Sequence, residues 1–135
     1  MDRNLNKIID GFDYEVKSIL TVMNFRCGSS ILSKNIKLLS LAEVGSSMAD
    51  YDSTDGTLYP IFNSNYSGSM CTICGDPAVY WLRNTYTGSN IGYRQRVAVM
   101  LASGTPMYES WDKSDTDGYV GYIKYFRPVI RVKVN

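Results

Sequence analysis

A chain of 135 residues is long enough for one hydrophobic core and too short for two, so every element has to serve a single domain. Fourteen Lys and Arg against thirteen Asp and Glu leave a formal charge of +1, which gives no field to gather nucleic acid or an anionic membrane, and no apolar run approaches the roughly 20 residues of a membrane-spanning helix. With zero histidines, Ser-His-Asp and Cys-His nucleophile pairs and His-ligated zinc are excluded, so the sequence predicts a non-enzymatic protein without a cofactor.

At the N-terminus no long apolar segment leads to a small-residue cleavage site, so no secretory signal is expected. In "NLNKIIDGFDYEVKSIL", Leu5, Ile8, Ile9, Phe12, Val16, Ile19 and Leu20 fall at helical spacing, which predicts one amphipathic helix over residues 4 to 20, weakened at Gly11. Its apolar face covers the domain's own core or serves self-association or mounting on a larger assembly. "NIKLLSLAEVG" reads as a buried strand running into a short helical turn that ends at Gly45. The following stretch is rich in Ser, Asp, Asn, Gly and Tyr and predicts a long surface excursion with turns at Asp55-Gly56 and Ser67-Gly68. Val97, Val99 and Leu101 alternate with Ala98 and Met100 as a strand. Ser103-Gly104 then turns the chain, and "TPMYESW" returns as the partner. Beyond a turn at Asp117-Gly118, Ile130, Val132 and Val134 alternate with Arg131 and Lys133, which predicts a strand with one apolar face. A helix with an antiparallel meander makes an α+β domain.

Cys71 and Cys74 in "CTIC" have metal or redox spacing, but with Cys27 the chain holds three thiols, and a structural zinc wants four ligands. The expectation is partly buried cysteines acting as small hydrophobes. "DYDSTDGT" and "WDKSDTDGY" have the carboxylate density of calcium loops without the glycine and closing glutamate of an EF-hand, so turn chemistry is expected and no metal site. Eleven tyrosines suit both half-buried strands and adaptable binding faces. In "YWLRNTYTGSNIGYRQRV", Trp81 and Arg83 open the strand-rich last third and Arg127 closes it; these are expected to tie strands together, freeing the polar and aromatic loop residues between them.

The ordered segments "KLLSLAEVG", "GTLYPIF", "YWLRN", "YRQRVAVMLASGTPM" and "YFRPVIRVK" resemble a family of domains common in gut bacteria, especially Firmicutes, and in their phages and prophages. Its signature is L-L-S-x-x-E-V-G, W-L-R-S-P, a strand with S-G at its turn, and V-R-P. Here Asn84-Thr85 stand in place of Ser-Pro, and Phe126 in place of Val. The early tryptophan and the late Phe-Arg also resemble, more loosely, the C-type-lectin-like fold and the display proteins that phages diversify. That resemblance implies one compact C-type-lectin-like domain over residues 1 to 135, with paired N- and C-terminal strands and a ligand-display portion over residues 80 to 135. Trp81, Leu82, Arg83, Arg127 and Pro128 would be its framework.

The resemblance, the tyrosines and the missing histidine together predict a ligand- or receptor-binding module of a phage virion, such as a tail fibre, of a prophage, or of a bacterial cell surface. Its partner would be a host surface glycan or protein receptor. The expected face comprises Asn84, Tyr86, Asn90, Tyr93, Arg94, Tyr108, Trp111, Asp112, Lys113, Tyr119 and Tyr122. Its Asn, Tyr, Ser and Asp content also matches what a diversity-generating retroelement produces by mutating adenines, so a diversified face is a further expectation. One alternative is a structural tail, fibre or capsid component whose tyrosine face packs on sibling chains. Another is a small hydrolase using carboxylates among Glu43, Glu109, Asp112 and Asp115.

Overall fold

In the computed structural model, residues 2–52, 54–62, 71–73, 76–93, 96–101, 103–110 and 125–134 are described, without the side chains of 2–4, 71–73, 76–78 and 110. The turns expected at Ser67-Gly68 and Asp117-Gly118 lie outside them, as do Cys74, Arg94, Trp111, Asp112, Lys113, Asp115, Tyr119 and Tyr122.

Two short helices replace the single expected one: α1 (Asp2–Asp10) and α2 (Tyr14–Ile19). The chain breaks at Gly11, whose N–H closes the last turn onto the carbonyls of Lys7 and Ile8, and Asp13 is extended ahead of α2. The helical spacing of apolar residues runs across the break, but the faces it gives are unequal. Leu5 is buried and Ile8 and Ile9 half-buried, whereas α2 buries none of its residues and Ile19 is exposed.

Then come the short strand β1 (Leu20–Thr21), the hairpin β2 (Met23–Cys27) and β3 (Ser30–Lys34), and β4 (Lys37–Leu38). After the irregular stretch that follows β4, a 3-10 turn spans Pro60–Phe62. Strands β5 (Cys71–Ile73) and β6 (Asp76–Ala78) pair, and β7 (Tyr80–Thr85), β8 (Arg96–Met100) and β9 (Pro106–Ser110) form an antiparallel sheet. The expected turn at Ser103-Gly104 joins β8 to β9, with Gly104 at φ 85°. Strand β10 (Pro128–Val129) pairs with β4, and β11 (Arg131–Val132) pairs with β1, so the first and last of these strands lie side by side. The fold is thus mixed α and β, mostly antiparallel, with two short helices.

The sheet is covered on both faces. Tyr80 and Leu82 of β7 with Ala98 and Met100 of β8 pack into a core of Leu39, Leu41, Val44, Tyr51 and Phe62. On the opposite face, Trp81 packs with Leu5 of α1, Ile36, Leu38, Phe126 and Ile130. This explains why Val97 to Met100 are buried without a break, where alternation alone predicts one wet face. The reverse holds at the C-terminal end. Alternation there predicts a single strand with an apolar face, but the chain is split at Ile130 between two partners, and Val132 and Val134 are exposed.

Candidate functional site

The register between β7 and β8 slips between Trp81↔Val99 and Thr85↔Val97, where β7 uses more residues than β8 over the same span. A bulge of this kind takes residues out of the ladder and re-aims their side chains. Arg83 and Asn84 lie in it. The Arg83 N–H donates to the Leu39 carbonyl, and its side chain runs into the interior.

There it becomes the hub of a buried ionic group. Arg83 Nη1 donates to the Leu38 carbonyl at 2.8 Å and to both oxygens of Glu43, and Nε donates to the Arg26 carbonyl at 3.1 Å and to Asp55 Oδ2 at 3.0 Å. Nη2 stands 2.9 Å from the same Asp55 oxygen, an ionic contact without hydrogen-bond alignment. Lys37 Nζ closes the group 2.7 Å from Glu43 Oε2. Ser40 and Glu43 form a reciprocal cap at the start of the short turn over residues 41–45. The Glu43 carboxylate accepts the Ser40 N–H, and the Ser40 hydroxyl accepts the Glu43 N–H, each at 3.2 Å.

Burial by itself raises the Glu43 carboxyl, but the hydrogen bonds and charges of Arg83 and Lys37 hold it below its ordinary value of 4.5. Glu43 is 1% exposed, and Gly56 closes over it at φ 94°. A Cβ there would lie 2.7 Å from Glu43 Cγ. With its oxygens engaged and its surroundings sealed, Glu43 holds the fold together and is not placed to meet a substrate. Glu109, the other described member of that carboxylate set, lies half-buried on β9.

Asn84 stands where the expected ligand face begins, and here the expectation is corrected: it is buried. Its Oδ1 accepts the Leu41 N–H at 2.7 Å and its amide donates to the Asp52 carbonyl, so one side chain fastens two loops. Two of the three "DYDSTDGT" carboxylates are likewise engaged, Asp52 by the Thr54 N–H and hydroxyl and Asp55 by Arg83, while Asp50 is exposed. Among the described residues no group of three metal-ligating side chains occurs. Of the framework residues, Leu82 is fully buried, Trp81 half-buried, and Pro128 opens β10 opposite Leu38. The Arg127 guanidinium lies 5.1 Å from the Phe62 ring centre and 5.4 Å from that of Tyr80.

Beyond Thr85 the character of the chain changes. Tyr86 bridges to Tyr51, and their rings meet edge to face at 5.8 Å; Tyr93 meets Tyr86 in the same way at 5.5 Å. Arg96, at the start of β8, lays its guanidinium between two rings, 3.4 Å from the centre of Tyr93 and 4.0 Å from that of Tyr108 on β9. The loop between β7 and β8 is shaped by its own side chains. The Tyr86 hydroxyl accepts the Asn90 N–H, Asn90 Oδ1 accepts the Gly92 N–H, and Gly88 passes so close to the Tyr86 ring that a Cβ would displace it. Burial pushes the Tyr51 phenol at the base of this cluster up to about 12, the nearby Arg96 charge pulling the other way. Tyr86 and Tyr93 are half-buried, while Asn90 and Tyr108 are exposed.

Of the expected face, then, Tyr86, Asn90, Tyr93 and Tyr108 come together around the loop between β7 and β8. Arg96 and Tyr51 join them without having been singled out in the sequence. The signal for Arg96 is its place three residues after one tyrosine and across the β8–β9 hairpin from another. A separate cavity of about 280 Å³, walled by Leu5, Phe25, Leu32, Ile36 and Val97, also meets Lys37 and Arg83, but both cations are engaged by Glu43. No family model, curated protein or solved structure matches the chain, so the chemistry of the site rests on its own geometry.

Proposed function

We propose that this chain is a non-enzymatic recognition module whose ligand face is centred on Tyr86, Tyr93, Arg96 and Tyr108. One observation carries the reading: Tyr86, Tyr93, Arg96 and Tyr108, half-buried to exposed, gather in ring and cation contacts around a loop held by the Tyr86 N–H to the Arg96 carbonyl and the Thr87 N–H to the Asp50 carbonyl. Rigid aromatic side chains with polar tips give contact area at small entropic cost, and a braced loop has little ordering left to lose on binding. The partner is a host surface glycan or protein receptor, and the setting is a phage, prophage or bacterial surface structure, in keeping with the resemblance of the LLSLAEVG, WLRN and FRPV segments. A C-type-lectin-like fold belongs to the same reading and is supported by the pairing of β1 with β11, the first and last of the strands. So does a ligand face diversified at Tyr86, Asn90, Tyr93 and Tyr108 over fixed positions such as Arg83 and Val99.

The test is a glycan and receptor binding screen with the full chain and with Tyr86→Ala, Tyr93→Ala and Tyr108→Ala combined. Binding that disappears in the folded triple variant supports the face; binding retained in it refutes the face. A second reading, a structural component packing on sibling chains, is favoured by Ile91 and Met107, both exposed beside the cluster. Concentration-dependent assembly that the triple variant abolishes, with no ligand bound by the wild type, selects it.

A further inference from the structure

Arg83 of β7, buried, and Arg96 of β8, half-buried, use their guanidinium groups differently. Arg83 spends its donors on two carbonyls and two carboxylates inside the fold. The Arg96 guanidinium carbon lies over two rings, 3.4 Å from the centre of Tyr93 and 4.0 Å from that of Tyr108. Stacking of this kind uses the π face and leaves the N–H groups, which point outward in the guanidinium plane, unengaged. Among the described residues, no hydrogen bond or ion pair involves the Arg96 side chain.

Resting on the recognition reading above, we propose that Arg96 receives a carboxylate of the ligand, and that this ligand is an acidic glycan carrying a hexuronic or sialic acid residue. The planar fork of guanidinium donors matches the two oxygens of a carboxylate, and charge-assisted pairs of this geometry are the strong ones. Clamping by two rings fixes the plane of the fork beforehand, so the side-chain ordering that usually opposes such a contact has already taken place. The surroundings suit a sugar ring more than an acidic peptide. Tyr108 is exposed, and so are Ser89 and Asn90 on the loop that carries Tyr93, so hydroxyl and amide groups belong to the same loop and strand as the rings around the cation, as suits a polyhydroxylated partner. The Asn90 carbonyl oxygen is held by Gly92, which aligns the side chain and leaves its NH₂ group to donate.

The experiment follows the Arg96 Nε–Hε resonance of the full ¹⁵N-labelled chain, assigned by its loss in Arg96→Gln. It is titrated with a glucuronic-acid-terminated oligosaccharide, with the glucose-terminated counterpart, and with glutarate as a carboxylate without a sugar. The acidic oligosaccharide is expected to displace the resonance saturably and to bind roughly tenfold to a hundredfold more tightly than the neutral one. Arg96→Gln, with its remaining amide spectrum intact, is expected to lose that preference. Equal affinity for acidic and neutral oligosaccharides refutes the role of Arg96 and leaves the recognition face standing. Glutarate binding as tightly as the acidic oligosaccharide refutes the sugar and points to acidic peptides. No displacement by any of the three refutes the acidic-glycan assignment, and the tyrosine triple variant then judges the face by itself.

Discussion

Replacing Glu43 by Gln keeps the shape of the side chain and removes its charge, which makes it a direct probe of the ionic group. In the wild type one carboxylate answers two cations, Lys37 at 2.7 Å and Arg83 through both oxygens, and Asp55 answers Arg83 from the other side. In Glu43→Gln the amide still offers one oxygen, but its NH₂ group must face the donors of Lys37 or Arg83. Leaving a buried charge without its partner costs about 3 to 5 kcal/mol. Because Asp55 remains opposite Arg83, the lower end of that range is expected, and about 3 kcal/mol corresponds to a fall in melting temperature of roughly 10 °C for a domain of this size. The loss also depends on pH. The folded-state pKa of Glu43 lies below its ordinary 4.5, so the stabilisation is present above that pH and is lost as pH falls through the folded value. Thermal unfolding followed by circular dichroism from pH 3 to pH 8 should show wild type and variant far apart near neutrality and converging in acid. A difference under about 1 kcal/mol at pH 7, or a gap that stays constant into acid, would refute the view that this carboxylate holds the fold.

Gly56→Ala should lower the urea midpoint by an amount equivalent to about 1 to 3 kcal/mol, because the residue sits at φ 94° and its new methyl would press on Glu43. Asn84→Ala should cost about 1 to 3 kcal/mol in thermal unfolding by releasing the Leu41 N–H and the Asp52 carbonyl. A ligand contact at Asn84 would instead show as lost binding at unchanged stability. In an alkaline ultraviolet titration the Tyr51 phenol should ionise at about 12, and that component should vanish in Tyr51→Phe. Its raised pKa favours the neutral phenol in the fold, so this contribution to stability is complete below the ordinary 10 and is lost as pH rises towards 12.

Patterns that depend on near neighbours were the legible ones. The strand-to-turn segment ending at Gly45, the Ser103-Gly104 hairpin and the weakness at Gly11 all follow from residues a few positions apart. The cap of Ser40 and Glu43 is written there too, as a Ser followed three residues later by Glu, at the start of the turn that ends at Gly45. What period could not supply was the covering of each face. Ala98 and Met100 look like the second side of an alternating strand and are buried because the segment around Leu41 packs on them. Val132 and Val134 alternate well and remain exposed. The site was divided in the same way. Loop composition pointed to Tyr86, Asn90, Tyr93 and Tyr108, but Asn84 shares that composition and turns inward because the β7 bulge aims it there. Arg96 acquires its role from two rings that only the hairpin brings to it.

The bulge in β7 divides one continuous segment into two jurisdictions. Up to Asn84, each side chain is answerable to the interior, and a change is felt throughout the domain. From Tyr86 onward, the backbone is pinned by the Tyr86 N–H to the Arg96 carbonyl and the Thr87 N–H to the Asp50 carbonyl, while the shape of the loop is set by Tyr86, Gly88 and Asn90. Changes at the exposed Ser89 and Ile91 therefore alter the surface without eroding the domain beneath it, whereas changes at Tyr86, Gly88 or Asn90 reshape the loop itself. A loop transplanted between Thr85 and Arg96 should keep its shape only where Tyr86, Gly88 and Asn90 are kept with it.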